Sequence, residues 1–153
     1  EKLWMKLADK QNLPLQIFRL SGIYSNENNI LKRLISGEAK IIKKKNQFFS
    51  RIHVEDIADI LFKSLENFKT KEIYNISDDK PASAEEVILY GCKLLNIEAP
   101  AAVELKSLEN EMTRNFYKDS KKVSNLKMKN FFKHDLNYPS YVEGLRYIKN
   151  QFI

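Results

Sequence analysis

The sequence is poor in the residues that crosslink, interrupt or anchor a chain. Its 153 residues include one cysteine, four glycines and four prolines. A single cysteine, Cys92, excludes a disulfide within the chain and any metal cluster built around thiolates. It lies in an apolar helical pattern, where a lone cysteine reads as a small buried hydrophobe and not as a nucleophile. With so little glycine and proline the chain has no flexible linker, and it carries no internal repeat or low-complexity tract. No apolar run approaches the roughly 20 residues that span a bilayer, so no membrane partner is expected. The first ten residues alternate charged and apolar side chains and lack the pattern of a secretory signal. A cytoplasmic setting is therefore expected. The chain opens on Glu1 and not on methionine, which fits a piece of a longer protein.

What is present is the composition of a folded globular chain, 43% hydrophobic and 30% charged. A net charge of +6 raises nucleic acid as a partner. Lysine, however, outnumbers arginine 21 to 5. The only basic run is Lys43-Lys44-Lys45, with no glycine-aromatic or arginine-rich motif beside it. That run reads as a solvated strand end or turn, and no nucleic-acid partner is expected.

Periodicity divides the chain into alternating strands and helices. Leu3, Trp4, Leu7 and Ala8 follow helical spacing up to the breaker Asn12-Leu13-Pro14. Leu15 to Leu20 is apolar on both faces, as a buried parallel strand requires. Asn28 to Ser36 is helical, with Ile30, Leu31, Leu34 and Ile35 on one face and Gly37 as its cap. Lys40 to Lys43 and Gln47 to Val54 read as strands joined by the turn Lys44-Lys45-Asn46. Glu55 to Phe68 is a helix with a stripe of Ile57, Ala58, Leu61, Leu65 and Phe68, and Glu55 and Asp56 favour its N-terminus. Ile73 to Ile76 is a short strand, and Ser83 with Glu86 forms a capping box for a helix to about Leu95. Ala102 to Leu105 suits a strand. Residues 106 to 138 are polar, lysine-rich and unassigned. A last helix follows Pro139, with Tyr141, Val142, Leu145, Ile148 and Phe152 on its buried face. The expected class is α/β. Only about two strands look parallel-type and the first helix lacks a beginning, so residues 1–153 read as a single partial domain.

Three stretches stand in order: Leu13-Pro-Leu-Gln-Ile-Phe-Arg-Leu-Ser-Gly-Ile-Tyr24, Phe49-Ser-Arg-Ile-His-Val-Glu-Asp-Ile-Ala58 and Ile73-Tyr-Asn-Ile-Ser-Asp-Asp-Lys-Pro-Ala82. With the ending Tyr138-Pro-Ser-Tyr-Val-Glu-Gly-Leu145, they resemble the C-terminal half of the NAD(P)-dependent epimerase/dehydratase family, the extended short-chain dehydrogenase/reductases, and above all its atypical branch. The resemblance implies the C-terminal part of a Rossmann-like parallel sheet with a small substrate-binding α/β cap. It implies NAD or NADP as cofactor in the full-length protein, a small-molecule substrate, and room for a homodimer. The family's glycine-rich pyrophosphate loop is absent, since Gly22, Gly37, Gly91 and Gly144 lie far apart. By spacing back from Arg19, the family's catalytic Tyr-x-x-x-Lys pair falls upstream of Glu1. Tyr117 and Lys121 match that spacing but stand long after the sheet, which marks a chance match. No catalytic residue is therefore assigned within the chain, and the chain alone is expected to be inactive.

By the same resemblance Leu20, Ser21, Gly22 and Ile23 are assigned to the cofactor, at the strand end beside the nicotinamide. Gly22 either admits a ligand closely or simply turns the chain. Tyr24, Arg51 and His53 are assigned to the substrate side. Arg51 and His53, two apart, share a strand face, where Arg51 meets an anionic substrate or pairs with Glu55 or Asp56. His53 either contacts substrate or fixes the strand-to-helix junction by hydrogen bonding. Phe49 stands where nucleotide-sugar epimerases carry an arginine, and Gly22 where they carry an asparagine. Both departures argue against a nucleotide-sugar substrate. Asp78-Asp79 reads as a solvated turn before Pro81, and no residue is assigned to a metal. Two functions follow: an oxidoreductase or epimerase-type protein for which this chain supplies the substrate side, or a non-catalytic NAD(P)-binding sensor or scaffold of the same fold.

Overall fold

A computed structural model describes residues 1–107 and 111–153. Residues 108–110, part of the stretch left unassigned above, lie outside the described residues. In chain order the elements are α1 (Lys2–Gln11), β1 (Gln16–Leu20), β2 (Gly22–Tyr24), α2 (Ile30–Ile35), β3 (Ile41–Lys43), β4 (Arg51–His53), α3 (Val54–Glu66), β5 (Glu72–Ile76), α4 (Ala84–Leu95), β6 (Ala102–Glu104), a 3₁₀ turn at Leu105–Ser107, α5 (Glu111–Phe116), α6 (Leu126–Phe132) and α7 (Tyr141–Phe152). The α/β class holds. No helix among the described residues is long and apolar enough to cross a membrane.

The strands form three parallel pairs, β1 with β5, β2 with β4 and β3 with β6. This corrects the expectation of about two parallel-type strands. It also corrects the picture of 40–43 and 47–54 as neighbours across a turn: Asn46 turns the chain in the left-handed region, but each strand then takes a partner distant in sequence. β1 runs parallel as expected, yet its burial declines along the strand until Arg19 and Leu20 are exposed, so it is not buried on both faces.

Local signals set the helix starts. Asn29 caps α2 by accepting from Lys32 N–H at 3.1 Å, and Gly37 follows the helix at φ +73°. Ser83 and Glu86 form the expected capping box, with bonds of 3.1 and 2.8 Å. Cys92 is buried beside Leu34, Ile41 and Ile88, as a small apolar side chain.

The buried face of α3 is rotated from the expected stripe. Asp56, Ile57, Ile60 and Ser64 are buried, while Ala58, Leu61, Leu65 and Phe68 are exposed. The helix carries two apolar faces, and the core takes the one with Ile57 and Ile60. These two side chains, each worth about 1.5–3 kcal/mol on burial, join Ile52, Tyr74, Ile76, Met128 and Phe132. Met128 and Phe132 come from α6, inside the unassigned stretch. A second cluster packs Tyr24, Leu31, Val87, Tyr141, Leu145 and Ile148 between β2 and the helices α2, α4 and α7. In α7, Phe152 is half exposed and Gly144 takes the buried place instead.

Candidate functional site

The chain passes from one parallel pair to the next at Ser21. Ser21 N–H donates to the Ile76 carbonyl at 3.0 Å, closing the β1–β5 pair. Gly22 N–H then donates to the Ser50 carbonyl at 3.1 Å and opens the β2–β4 pair. From the other side, Asp78 N–H donates to the Arg51 carbonyl at 2.6 Å, and the Ser77 hydroxyl reaches the same carbonyl at 3.4 Å. The carboxyl ends of β1 and β5 thus meet the start of β4 at one crossing. In open parallel sheets such strand ends are where ligands bind.

The expected cofactor residues lie on the outside of this crossing. Leu20 is 46% exposed and Ile23 48%, Gly22 is exposed and Ser21 half-buried. Gly22 has ordinary backbone angles, and a Cβ there would stand 3.4 Å from the Ser50 carbonyl oxygen, an ordinary contact. The fold does not itself demand glycine at this position.

The expected substrate residues lie on the inside. Tyr24 is buried, edge-on to His53 at 5.0 Å, with its hydroxyl 3.5 Å from the Ser140 carbonyl. Burial first, then the charge of Asp78, raises its phenol far above the usual range. Arg51 is half-buried, and its Nη1 donates to the carbonyls of Phe49 and Ala82, 3.0 Å each, in place of the expected partners Glu55 or Asp56. Burial lowers the guanidinium's pKa, opposed by the nearby charge of Asp78. His53 is fully buried. Its Nδ1 accepts from Glu55 N–H at 3.3 Å, so it caps α3 and fixes the strand-to-helix junction. Its ring packs among Tyr24, Tyr138 and Tyr147, and burial lowers its pKa, which keeps it neutral at pH 7. Tyr24, Arg51 and the residues Ile30, Val87, Tyr141 and Leu145 enclose a cavity of about 60 Å³.

Asp78 corrects the reading of a solvated turn. It is 1% exposed, and burial pushes its carboxyl up to about 7. Oδ1 accepts from Lys80 N–H at 3.2 Å, while the buried Oδ2 has no hydrogen-bond partner among the described residues. Asp79, more open, accepts from Asn125 at 2.7 Å and pairs with Lys129 at 2.9 Å. The available signal was position: Asp78 follows the carboxyl end of a strand. Tyr117 and Lys121 are not brought together as a pair. Tyr117 is buried edge-on against Phe49, and Lys121 pairs with Asp119 at 2.9 Å. A larger depression of about 350 Å³ lies at the amino end of β5, between Lys69, Glu72, Tyr74 and Lys127. It is at the wrong end of the strands for a sheet ligand, and its size reflects an open groove floored by the ion pairs of Glu72 with Lys69 and Lys127.

No family model and no curated protein matches the chain. Solved structures do. A functionally unknown conserved protein from Silicibacter pomeroyi is 36% identical, with a TM-score of 0.91 over 97% of this chain and 52% of its own. The dTDP-glucose 4,6-dehydratase of Bacillus anthracis in complex with NAD is 18% identical, with a TM-score of 0.76 over 97% of this chain and 48% of its own. Human epimerase family protein SDR39U1 with NADPH is 17% identical, with a TM-score of 0.73 over 90% of this chain and 48% of its own. The fold is that of the C-terminal part of Rossmann-like epimerase and short-chain dehydrogenase/reductase structures. The chain spans about half the length of the structures it matches.

Proposed function

We propose that this chain is the substrate-side half of a longer NAD(P)-dependent epimerase, dehydratase or reductase of the short-chain dehydrogenase/reductase type. The observation that carries the reading is the open crossing at Leu20–Ile23. There two parallel strand pairs meet, and apolar side chains face outward around a glycine that packing does not require. An apolar wall next to an open backbone suits the flat face of a nicotinamide ring. When bound, the dinucleotide supplies hydride transfer, and the protein contributes position and electrostatics. Leu20, Ser21, Gly22 and Ile23 hold the nicotinamide edge. Arg51 and Tyr24, one layer inward, shape the substrate wall and set its charge, and His53 holds the junction that orients them. The structures bound to NAD and NADPH support the cofactor class. Phe49 and Gly22 stand against a nucleotide-sugar substrate.

The test is a titration of the 153-residue chain with nicotinamide mononucleotide and with NAD and NADP, followed by amide NMR. The expected result is weak binding that shifts the amides of Leu20 to Ile23, with no turnover. Tight dinucleotide binding by the chain alone overturns the half-site reading. So does a mononucleotide response that leaves 20–23 unmoved.

A further inference from the structure

We propose that Asp56, Asp59 and His134 form a binding site for one divalent first-row transition ion, Zn²⁺ being the probe, which ties α3 to the segment following α6. A carboxylate oxygen of each aspartate and a ring nitrogen of His134 all lie within 4.8 Å of one another. Asp56 and Asp59 are three apart on α3 and so share a helix face. His134 comes from a distant part of the sequence, just past the left-handed turn at Lys133 that ends α6.

Two features raise this above a chance cluster of acids. The first is that His134 is only 7% exposed, and its buried Nε2 has no hydrogen-bond partner among the described residues. A buried imidazole nitrogen without a partner is costly unless something occupies it. The second is that the carboxylates are held in place. Asp56 accepts from the backbone N–H groups of Asn137 at 2.7 Å and Tyr138 at 3.1 Å. Asp59 accepts from the Asn137 side chain at 2.6 Å. Metal-binding carboxylates are commonly oriented by such outer hydrogen bonds, and each oxygen keeps a second lone pair for the ion.

The donor set selects the ion. One imidazole with two carboxylates suits zinc and its transition-metal neighbours, whereas calcium and magnesium favour oxygen alone. Zinc bonds of about 2.0–2.2 Å in tetrahedral geometry hold ligand atoms about 3.3–3.6 Å apart, so binding draws the three donor atoms, now within 4.8 Å of one another, together by up to about 1.5 Å. Asp59 is exposed, so its side chain can shift together with the Asn137 amide bonded to it, and its open side gives the ion an entry path and leaves a coordination position for water. The role is to fasten the fold, adding to the Asp56 and Asp59 hydrogen bonds, the Glu55–Tyr138 contact at 2.6 Å and the core that Leu136 shares with Ile57 and Ile60.

Chelator-treated protein titrated with Zn²⁺ by calorimetry is expected to bind one ion per chain. Asp59→Ala and His134→Gln are each expected to weaken that binding by about tenfold or more. Asp56 is left intact because its loss would also strip two backbone donors of their acceptor. The chain has two histidines, His53 and His134. Imidazole NMR should therefore show zinc moving the ring resonances of His134 and leaving those of His53 in place. Absence of saturable binding at one equivalent overturns the site, as does affinity unchanged in both variants or a zinc response centred on His53 or Cys92. None of these results bears on Leu20–Ile23, so this site and the proposed function fail separately.

Discussion

Asp78 stands two residues beyond the end of β5 with its carboxyl buried and one oxygen unpartnered, and its titration gives the fold a pH dependence of definite sign. Burial is the main cause of the raised pKa, and the Lys80 N–H and the charge of Arg51 only partly oppose it. In the unfolded chain an aspartate ionises near 3.8, and here it does so at about 7. Between these values the folded state holds a proton that the unfolded state has released. Stability contributed by this group is therefore complete below about pH 4 and declines as pH rises toward 7, at up to about 1.4 kcal/mol per pH unit. Asp78→Asn is expected to remove that decline. Urea unfolding midpoints of the two proteins, measured from pH 4 to 8, should differ progressively toward high pH, the variant having the shallower fall. Parallel profiles would show that Asp78 ionises as an ordinary surface carboxylate. The sequence alone did not reveal this residue because Asp-Asp before a proline has the composition of an open turn. Its N–H is tied to the β4 backbone at the Arg51 carbonyl, a long-range contact that no local pattern reports.

At the scale of elements, the contact of α7 with β2 rests on Gly144. A Cβ at that position would stand 2.0 Å from the Tyr24 hydroxyl oxygen and 2.7 Å from two ring carbons. Gly144→Ala is expected to destabilise the fold by about 1–3 kcal/mol through overpacking. Tyr24→Phe should recover part of the loss, since it removes the nearest atom and leaves the ring. Denaturant midpoints of the two single variants and the double variant check this, and strict additivity would place the strain elsewhere. The same contact shows what the sequence could and could not disclose. Caps were legible because a helix start is a local chemical event: Ser83 with Glu86 and the glycine after α2 were both found where expected. Strand pairing was not legible. β3 lies beside β6, with Ile41 opposite Ala102, and α4 packs against β3, contacts that arise only in the tertiary fold. α6 was hidden because Met128 and Phe132 are set among lysines and asparagines, which dilute its apolar period below recognition. His53 was legible as a junction residue from its place between a strand and a helix. The ligand triad was not, as Asp59 and His134 are brought together only by the tertiary fold.

Over the whole molecule the apolar surface is distributed unevenly. Leu61, Phe62, Leu65 and Phe68 are between 44% and 81% exposed on and just beyond α3, and Leu3 and Trp4 on α1 are 81% and 64% exposed. Scattered apolar side chains are ordinary on a protein surface, but several on one helix mark a face that packs against something. Leu61, Leu65 and Phe68 form a true apolar stripe, as their periodicity implies, but this chain's own core occupies the neighbouring one. For the proposed longer protein we predict that the second face of α3 packs against the dinucleotide-binding half. Replacing Phe62 and Leu65 together by Glu and Lys is then expected to have opposite consequences in two settings. In the 153-residue chain the substitutions should leave the unfolding midpoint nearly unchanged, since surface changes away from special contacts usually fall within about 0.5 kcal/mol. In a polypeptide that also carries a dinucleotide-binding half, the same pair should lower the unfolding midpoint and weaken cofactor binding, because charges would be placed at a buried joint. Equal tolerance in both settings would show that this face of α3 meets solvent throughout and that the joint lies elsewhere.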